Sequence, residues 1–372
     1  MLRERVSVRP GHGRILEDQG LSFHAWDNYW REDACYRFTL AQVEEIEAAT
    51  AELHTLCLAA ARHAIESKKL ARLGFPAQMH PLIEESFRRG DFHLYSRFDL
   101  AYDGKSAPKM LEYNADTPTS LLESAVCQWS WMEDVFPGMD QFNSLHDKLI
   151  ARWAQAPAAA LTHVACLRDN EEDWVCATYV RDTLAQAGRR SELVYVEDIG
   201  WDSAQGQFVD LENRPIEALF KLYPWEWLGT EAHAQHLPRA KTQFIEPAWK
   251  APMASKGLLP LLWEMFPGHP NLLPAYFEPG RLGRYAKKPL FSREGANVEL
   301  WDGRTLLAQD TGPYGAEGHV YQALHMLPNF DGNYPVIGSW VVGDEPVGMC
   351  IREAPSPITT NMSHFVPHYI KD

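Results

Sequence analysis

The chain has 372 residues, of which 45% are hydrophobic and 23% are charged, a composition that supplies a large core and excludes disordered and fibrous classes. The formal net charge of −15 argues against nucleic acid or a membrane surface as a partner and favours a cationic substrate. The N-terminus is charged, and no run approaches the roughly 18 apolar residues of a membrane span, so we expect a cytoplasmic protein.

Cysteine usage agrees with a reducing compartment. The cysteines form no C-x-x-C pair and mostly lie in apolar segments, so we expect reduced core thiols. They are Cys35, Cys57, Cys127, Cys166, Cys176 and Cys350.

The first half of the chain predicts helices around one hairpin. Residues 39–71 place apolar side chains at helical spacing, which predicts one long amphipathic helix. Two β-rich runs then flank Asp103-Gly104, a pattern typical of a hairpin. Residues 118–154 predict two helices, broken at Pro137-Gly138.

The second half begins with a change of pattern near Thr162. A strand, a helix closed by Gly188 and a second strand follow in order, so a small parallel-sheet lobe is predicted over roughly 160–240. Beyond it we predict a helix in KGLLPLLWEMF, a strand in RYAKKPLF, the loop SREGAN and a β-rich C-terminal third.

The hairpin carries the first chemical signal. Arg97 and Asp99 are two residues apart, as are Glu112 and Asn114, so each pair shares one face of its strand. These four side chains therefore lie on one face if the strands pair in the matching register.

That register follows if Tyr102 pairs with Lys109 across the loop, because Asp99 then lies opposite Glu112. Like charges at such positions are destabilising, so a cation should lie between them. Two carboxylates and an amide oxygen suit Mg²⁺. The alternative is a surface hairpin in which Arg97 neutralises the acids.

The segment after the hairpin favours the metal site. Residues 115–120, ADTPTS, place hydroxyls and backbone amides where a helix begins, an arrangement suited to gripping an anionic group. Asp116 and Thr117 are therefore candidate substrate residues.

The motif RFDLAY…KMLEYNADTPTS resembles the metal-binding hairpin of the glutathionylspermidine synthase family, a group of ATP-grasp ligases. The resemblance continues in order through ASKGLLPLLWEMFPGH, YAKKPLFSREGANV, VYQALHMLP and GSWVVGDEPVGMCIRE. It implies an α/β, ATP-grasp-like fold with a small parallel-sheet pre-ATP-grasp lobe and a helical N-terminal part. The expected division is 1–155 for the helical part with the hairpin, 156–240 for the lobe and 241–372 for the nucleotide-binding part.

The resemblance also implies roles for individual residues. Asp99, Glu112 and Asn114 would hold two Mg²⁺ ions, and Arg97 and Arg352 would stabilise the charge that develops during phosphoryl transfer. The implied ATP-binding residues are Lys256, Lys288, Ser292, Arg293, Glu294, Gly295 and Gln322. Glu171 and Glu172 would receive the amine, although acids in a first helical turn are also explained by the helix dipole. Taken singly, each lysine is better explained as a solvated side chain, and only the order of the motifs favours a binding role.

The implied activity is ATP-dependent ligation of an acid and an amine through an acyl-phosphate. The family suggests a glutathione-like peptide as the acid and a polyamine as the amine. Two departures bear on this: the chain begins at the synthetase half, so we expect no amidase activity, and ITTNMSHF lacks the acid expected to help bind a polyamine.

Two other functions are compatible with the same residues. A catalytically silent, ATP-binding regulatory protein would keep Lys256 and Lys288. A hydrolase could use Asp99 and Glu112 as an acid/base pair, and turnover without ATP would identify it.

Overall fold

A computed structural model describes residues 1–361 and 363–372 of the chain. The α-helices are α1 His12–Asp18, α2 Leu40–Glu66, α3 His80–Arg89, α4 Gln128–Val135, α5 Leu145–Ala154, α6 Glu171–Gln186, α7 Trp225–Leu228, α8 Ala251–Ala254 and α9 Leu258–Met265. The strands are β1 Leu2–Arg5, β2 Ala34–Phe38, β3 Tyr95–Ala101, β4 Lys109–Asn114, β5 Thr162–Cys166, β6 Ser191–Tyr195, β7 Gly200–Asp202, β8 Gln207–Val209, β9 Ala218–Lys221, β10 Gln243–Ile245, β11 Ala275–Tyr276, β12 Arg284–Pro289, β13 Glu299–Asp302, β14 Thr305–Gln309, β15 His319–Ala323, β16 Tyr334–Val342, β17 Glu345–Ala354, β18 His364–Phe365 and β19 His368–Ile370.

Helix α2 confirms the long helix predicted over 39–71. Thr39 and Gln42 form a reciprocal capping box at its start, which satisfies two backbone amides that the first turn leaves free. The helix ends earlier than predicted, because Lys68 has a φ of 56°, which a right-handed helix cannot contain. Its apolar face packs into the largest hydrophobic cluster of the protein.

The small parallel sheet is confirmed. Its strand order is β10-β9-β5-β6, and all three pairings are parallel. Helix α6 connects β5 to β6, and the Asn170 side chain caps it by accepting from the Asp173 amide at 3.0 Å. Glu246, just after β10, is fully buried and accepts from the backbone amides of Leu94 and Tyr95, which ties this sheet to the start of β3.

Two five-stranded sheets contain most of the remaining strands. One has the order β18-β17-β16-β3-β4 and the other β11-β15-β12-β13-β14, and every pairing in both is antiparallel. They meet where Lys288 Nζ donates to the carbonyl of Leu111 at 2.9 Å and Gln322 Nε2 donates to that of Met110 at 3.0 Å.

The hairpin register sets the chemistry of β3 and β4. Arg97 lies opposite Asn114, and Asp99 lies opposite Glu112, as the spacing predicts. The two carboxylates therefore do face each other across the pair of strands. The hairpin is not a surface feature, since the Arg97 and Asp99 side chains are only 12% and 16% exposed.

The loop end of the hairpin differs from the prediction. Ala101 pairs with Lys109, whereas Tyr102 does not, because the register shifts by one residue after Asp99. The extra residue is Leu111, whose side chain lines the cavity described below. A one-residue bulge of this kind cannot be deduced from alternation alone.

The thiol prediction is confirmed: all six cysteines are free and buried. Across residues 1–361 and 363–372, no helix has the length and apolar character needed to cross a membrane.

Candidate active site

A cavity of about 410 Å³ lies where the two five-stranded sheets meet the small parallel sheet. It has an apolar end between the five-stranded sheets, a middle lined by Arg97, Glu112 and Lys288, and an end near the start of α6. We call the group Arg97, Lys256 and Lys288 the cationic centre, and the group Glu172, Asp173 and Glu294 the acidic end.

Asp99 is paired with Arg97 on its own strand. Arg97 Nε donates to Asp99 Oδ1 at 3.0 Å, and Arg97 NH1 donates to the carbonyl of Thr119 at 2.9 Å. Burial raises the pKa of Asp99 despite Arg97, and the charge of Glu112 raises it further. A second positive charge would therefore lower the free energy of this face.

Glu112 is paired with Lys256, whose Nζ lies 3.1 Å from Glu112 Oε2, although Lys256 itself does not line the cavity. Burial alone would favour the neutral acid, but the charges of Lys256 and Lys288 outweigh it and lower the pKa of Glu112 to about 2. Glu112 is thus ionised at neutral pH. In the described part of the chain, the Asn114 side chain makes no hydrogen bond, so its amide oxygen is available to a ligand.

Both lysines are anchored as well as charged. Lys256 Nζ donates to the carbonyl of Ser292 at 2.8 Å. Lys288 Nζ donates to Gln322 Oε1 at 2.8 Å, and burial lowers the pKa of Lys288 to about 8. Gln322 is 2% exposed, so it acts on the cavity mainly by fixing Lys288.

The donors on this face fit Mg²⁺. Asp99, Glu112 and Asn114 offer two carboxylates and one amide oxygen from adjoining strands, and Mg²⁺ uses few protein ligands and completes its octahedron with water and phosphate. Arg97 and Lys256 now neutralise the two carboxylates, and they would face the phosphates of a nucleotide brought by the ion.

The apolar end is the part of the cavity that the sequence did not indicate. Its walls are Leu111, Leu327 and Val336 from the first five-stranded sheet and its edge, and Ala286, Val298 and Leu300 from the second. Such a slot suits a flat aromatic base. The available signal was the alternation in β12 and β13, but alternation does not show which two sheets face each other.

The loop Ser292–Gly295, which we call the covering loop for the role proposed below, lines the cavity. Arg293 NH2 lies 2.8 Å from Glu226 Oε1, and its guanidinium lies 4.8 Å from the centre of the Trp227 ring. Gly295 has a φ of 71°, and a Cβ there would lie 2.4 Å from a backbone carbonyl oxygen, so only glycine fits.

Two buried polar atoms of this loop lack partners. Among the described residues, neither Ser292 Oγ nor Arg293 NH1 has a hydrogen-bond partner. Unpaired buried donors are costly, and both residues line the cavity. An anionic ligand such as a phosphate would satisfy them.

Arg352 is held at the other wall by the C-terminal segment. It donates to the carbonyls of Ser363, Thr360 and Asn361, and it lies 5.3 Å from the centre of the Tyr29 ring. The segment noted for its lack of an acid therefore binds Arg352 through backbone oxygens. Met362 within that segment lies outside the described residues.

Asp116 lines the cavity but is engaged by the protein. It is 3% exposed, Lys221 Nζ donates to its Oδ1 at 2.6 Å, and the Trp225 amide donates to its Oδ2 at 2.9 Å. Both oxygens therefore join β4 to the small parallel sheet. Thr117 lines the cavity, as does Thr119.

Of the acids that open α6, the structure brings Glu172 and Asp173 to the cavity and leaves Glu171 outside it. Glu171 is exposed and accepts a hydrogen bond from Ser22. Thr119 Oγ1 donates to Glu172 Oε1 at 2.7 Å. The sequence does not show which of three successive helical acids points inward, because this depends on the rotation of α6 on its sheet.

The whole chain matches known proteins. A family model described as glutathionylspermidine synthase preATP-grasp matches residues 3–371. A Haemophilus influenzae protein named "Putative acid--amine ligase" is 45% identical over 358 residues, which cover 92% of this chain and 91% of that protein. The bifunctional glutathionylspermidine synthetase/amidase of Escherichia coli is 28% identical over 366 residues, which cover 89% of this chain and 58% of that protein. The chain thus spans a little more than half of the length of the Escherichia coli relative.

Among solved structures, a glutathione synthetase-like effector from Globodera pallida superimposes with a TM-score of 0.57 at 11% identity, covering 98% of this chain and 100% of that one. At this identity the likeness concerns the fold alone. It confirms the α/β, ATP-grasp-like fold expected from the sequence.

Proposed function

The chain belongs to the glutathionylspermidine synthase family, and from that premise we propose that it is an ATP- and Mg²⁺-dependent ligase that joins a carboxylic acid to an amine through an acyl-phosphate. The proposed roles of Asp99, Glu112 and Asn114 as ligands of two Mg²⁺ ions belong to the same proposal. So does the division of the chain into residues 1–155, 156–240 and 241–372.

One observation carries this proposal. The carboxylate face of the hairpin meets Lys256, which lies between α8 and α9, at 3.1 Å between Glu112 Oε2 and Lys256 Nζ, and the adjoining Lys288 comes from the facing sheet. A triphosphate that enters from the apolar end would pass between Lys288 and the hairpin face. Its terminal phosphate would then lie near Asp99 and Arg97. No specific contact favours a regulatory protein without catalysis or a hydrolase.

The protein's part in the reaction is alignment and electrostatics. Mg²⁺ would neutralise phosphate charge. Arg97 and Arg352 face the place where charge accumulates as the γ-phosphoryl group moves to the substrate carboxylate, and fixed charges of this kind stabilise a transition state without reorganisation. The loop Ser292–Gly295 shields the acyl-phosphate from water, which would otherwise hydrolyse it.

The acceptor enters at the acidic end. Glu172, Asp173 and Glu294 line this part of the cavity, and burial, together with the charge of Glu172, raises the pKa values of Asp173 and Glu294. A cationic amine is the ligand that such a group favours. A polyamine is one amine of this kind, and a glutathione-like peptide is the proposed acid.

The test is a screen with a chemical trap. The purified protein is incubated with Mg²⁺, ATP, hydroxylamine and one acid from a panel of glutathione, free amino acids and dipeptides. An acyl-phosphate reacts with hydroxylamine to give a hydroxamate, so we expect ADP and hydroxamate in equal amounts for the acid that the enzyme uses. ADP release that no acid stimulates would contradict a ligase.

A labelling experiment tests the intermediate itself. If the substrate carboxylate carries heavy oxygen, the acyl-phosphate route transfers one labelled oxygen to the released phosphate. Phosphate without label, together with normal amide formation, would rule out the acyl-phosphate while leaving the ligase activity in place.

A further inference from the structure

Like Glu294, Asp173 lines the cavity as an acid with no partner in the described part of the chain. Its backbone amide belongs to the helix cap, but within residues 1–361 and 363–372 its carboxylate makes no hydrogen bond or ion pair, although it lines the cavity. Burial raises the pKa of Asp173 to about 7, and Glu172 and Glu294 add to this against the charge of Arg293. At neutral pH such a carboxyl can both accept and release a proton.

The groups that face Asp173 come from several elements. They are Glu172 and Cys176 on α6, Arg293 and Glu294 on the covering loop, Cys166 at the end of β5, and Tyr95 at the start of β3. Burial raises the pKa of both thiols and of the tyrosine well above neutrality. The pKa of Asp173, about 7, lies near the working pH, and Asp173 is fixed on helix α6, whereas Glu294 belongs to a loop.

Thr119 links the acidic end of the cavity to the cationic centre, where the phosphoryl group would be transferred. The carbonyl of Thr119 accepts from Arg97 at 2.9 Å, and its hydroxyl donates to Glu172 at 2.7 Å. In addition, the charge of Arg352 acts on both Asp99 and Glu294, where it opposes the rise in pKa that burial causes. Arg352 therefore lies between the cationic centre and the acidic end. An amine held at the acidic end is therefore next to the activated carbonyl.

The chemistry of ligation requires a base at this place. An alkyl amine is an ammonium ion at neutral pH and has no lone pair with which to attack. One proton must leave before the C–N bond forms. A second leaves nitrogen after attack, as the C–O bond to phosphate breaks, and it goes to the departing phosphate.

We propose that Asp173 is the catalytic base that takes the first of these protons from the acceptor ammonium. This inference deepens the proposed ligase function and depends on it. Glu172, held by Thr119, binds the cation, whereas Asp173, which nothing holds, receives the proton. The acceptor class that follows is an alkyl amine that is protonated at neutral pH.

The test separates proton transfer from ATP chemistry. In Asp173→Asn, amide formation from spermidine, putrescine or ethanolamine should fall at least about 100-fold at pH 7, the usual contribution of a general base. Hydroxamate formation should stay within about threefold of wild type, because hydroxylamine is already neutral at pH 7. Hydroxamate formation also shows that the variant folds and binds ATP.

The pH dependence gives a second readout. The rate of amide formation by the wild type should rise with pH through a pKa near 7. In the variant this transition should be absent, and the rate should rise instead as the pH approaches the pKa of the amine. Asp182→Asn, an exposed acid on the same helix, is the matched control and should behave as wild type.

Three outcomes would overturn the assignment: normal amide formation in Asp173→Asn, equal loss of amide and hydroxamate, or an unchanged pH profile. Failure of the ligase proposal looks different. In that case the wild-type protein gives no hydroxamate with any acid of the panel.

Discussion

The cationic centre and the acidic end of the cavity are built on opposite principles. At the cationic centre both carboxylates have an opposite partner, Glu112 with Lys256 and Asp99 with Arg97. At the acidic end the carboxylates outnumber their partners, and the pKa values of Asp173 and Glu294 are raised. The carboxylates of the first region are thus paired before any ligand arrives, whereas Asp173 and Glu294 of the second are unpaired in the described structure until a cation binds. The protein gives up stability where it needs affinity.

The largest expected effect tests the balance at the cationic centre. Glu112→Gln leaves Lys256 and Lys288 buried without their carboxylate, so the free energy of unfolding without nucleotide should fall by about 3–5 kcal/mol. Urea denaturation measures this. The matched control is Glu264→Gln, which breaks an exposed pair with Arg72 and should cost about 0.2–1 kcal/mol. Equal losses in the two variants would show that the centre is not a balanced buried cluster.

The second prediction concerns activity at the same face. Asp99→Asn keeps the shape of the side chain but removes a proposed ligand charge, so ATP turnover should fall by roughly 10²–10³-fold. Steady-state ADP release measures it. Asp302→Asn, on an exposed part of β13, is the control. Turnover near the wild-type rate would remove Asp99 from the metal site.

The third prediction compares two neighbouring acids of α6. Glu172 lines the cavity and Glu171 does not. A hydrogen bond to a charged group contributes about 1.5–3 kcal/mol, so Glu172→Gln should raise the KM for the amine by about tenfold or more. Glu171→Gln should raise it much less. Similar KM values in the two variants would contradict the orientation of α6 described here.

The smallest expected effect concerns Glu123, a buried acid whose pKa is influenced by Glu172 of the acidic end. Glu123 is 2% exposed and accepts from Tyr29 Oη at 2.7 Å. Burial raises the pKa of Glu123 from an ordinary 4.5 to about 7, despite the hydroxyl, and the charge of Glu172 contributes. Because the folded pKa is the higher one, ionised Glu123 costs stability above about pH 7, and this cost fades as the pH falls toward 4.5.

Glu123→Gln should therefore be more stable than wild type at pH 8, by roughly 1–2 kcal/mol. Its advantage should disappear below about pH 4.5, where the wild-type carboxyl is protonated in both states. Thermal unfolding across pH measures the difference. An advantage that is independent of pH would assign the effect to packing rather than to charge.

The same two regions show what the sequence can and cannot predict. The placement of Asp99 and Glu112 on one face follows from alternation with period two, although the Tyr102–Lys109 pair from which we predicted the register is not formed. Helix α2 and the βαβ unit follow from periodicity. These features are local, and the structure confirms them.

The acidic end joins the start of α6, the residues after β4 and the covering loop, which are far apart in sequence. Which acid points inward depends on how α6 rotates on its sheet, and the bulge at Leu111 depends on its contacts with Leu327, Val336 and the facing sheet. Local pattern contains neither kind of information. The apolar walls of the cavity belong to the same category.

The buried pair of Asp116 and Lys221 has a mechanical consequence. This ion pair joins the residues just after β4 to the end of β9. In addition, Glu246, just after β10, accepts a hydrogen bond from the backbone amide at the start of β3. The hairpin and the small parallel sheet are thus joined at two buried points, so we expect them to behave as one rigid unit.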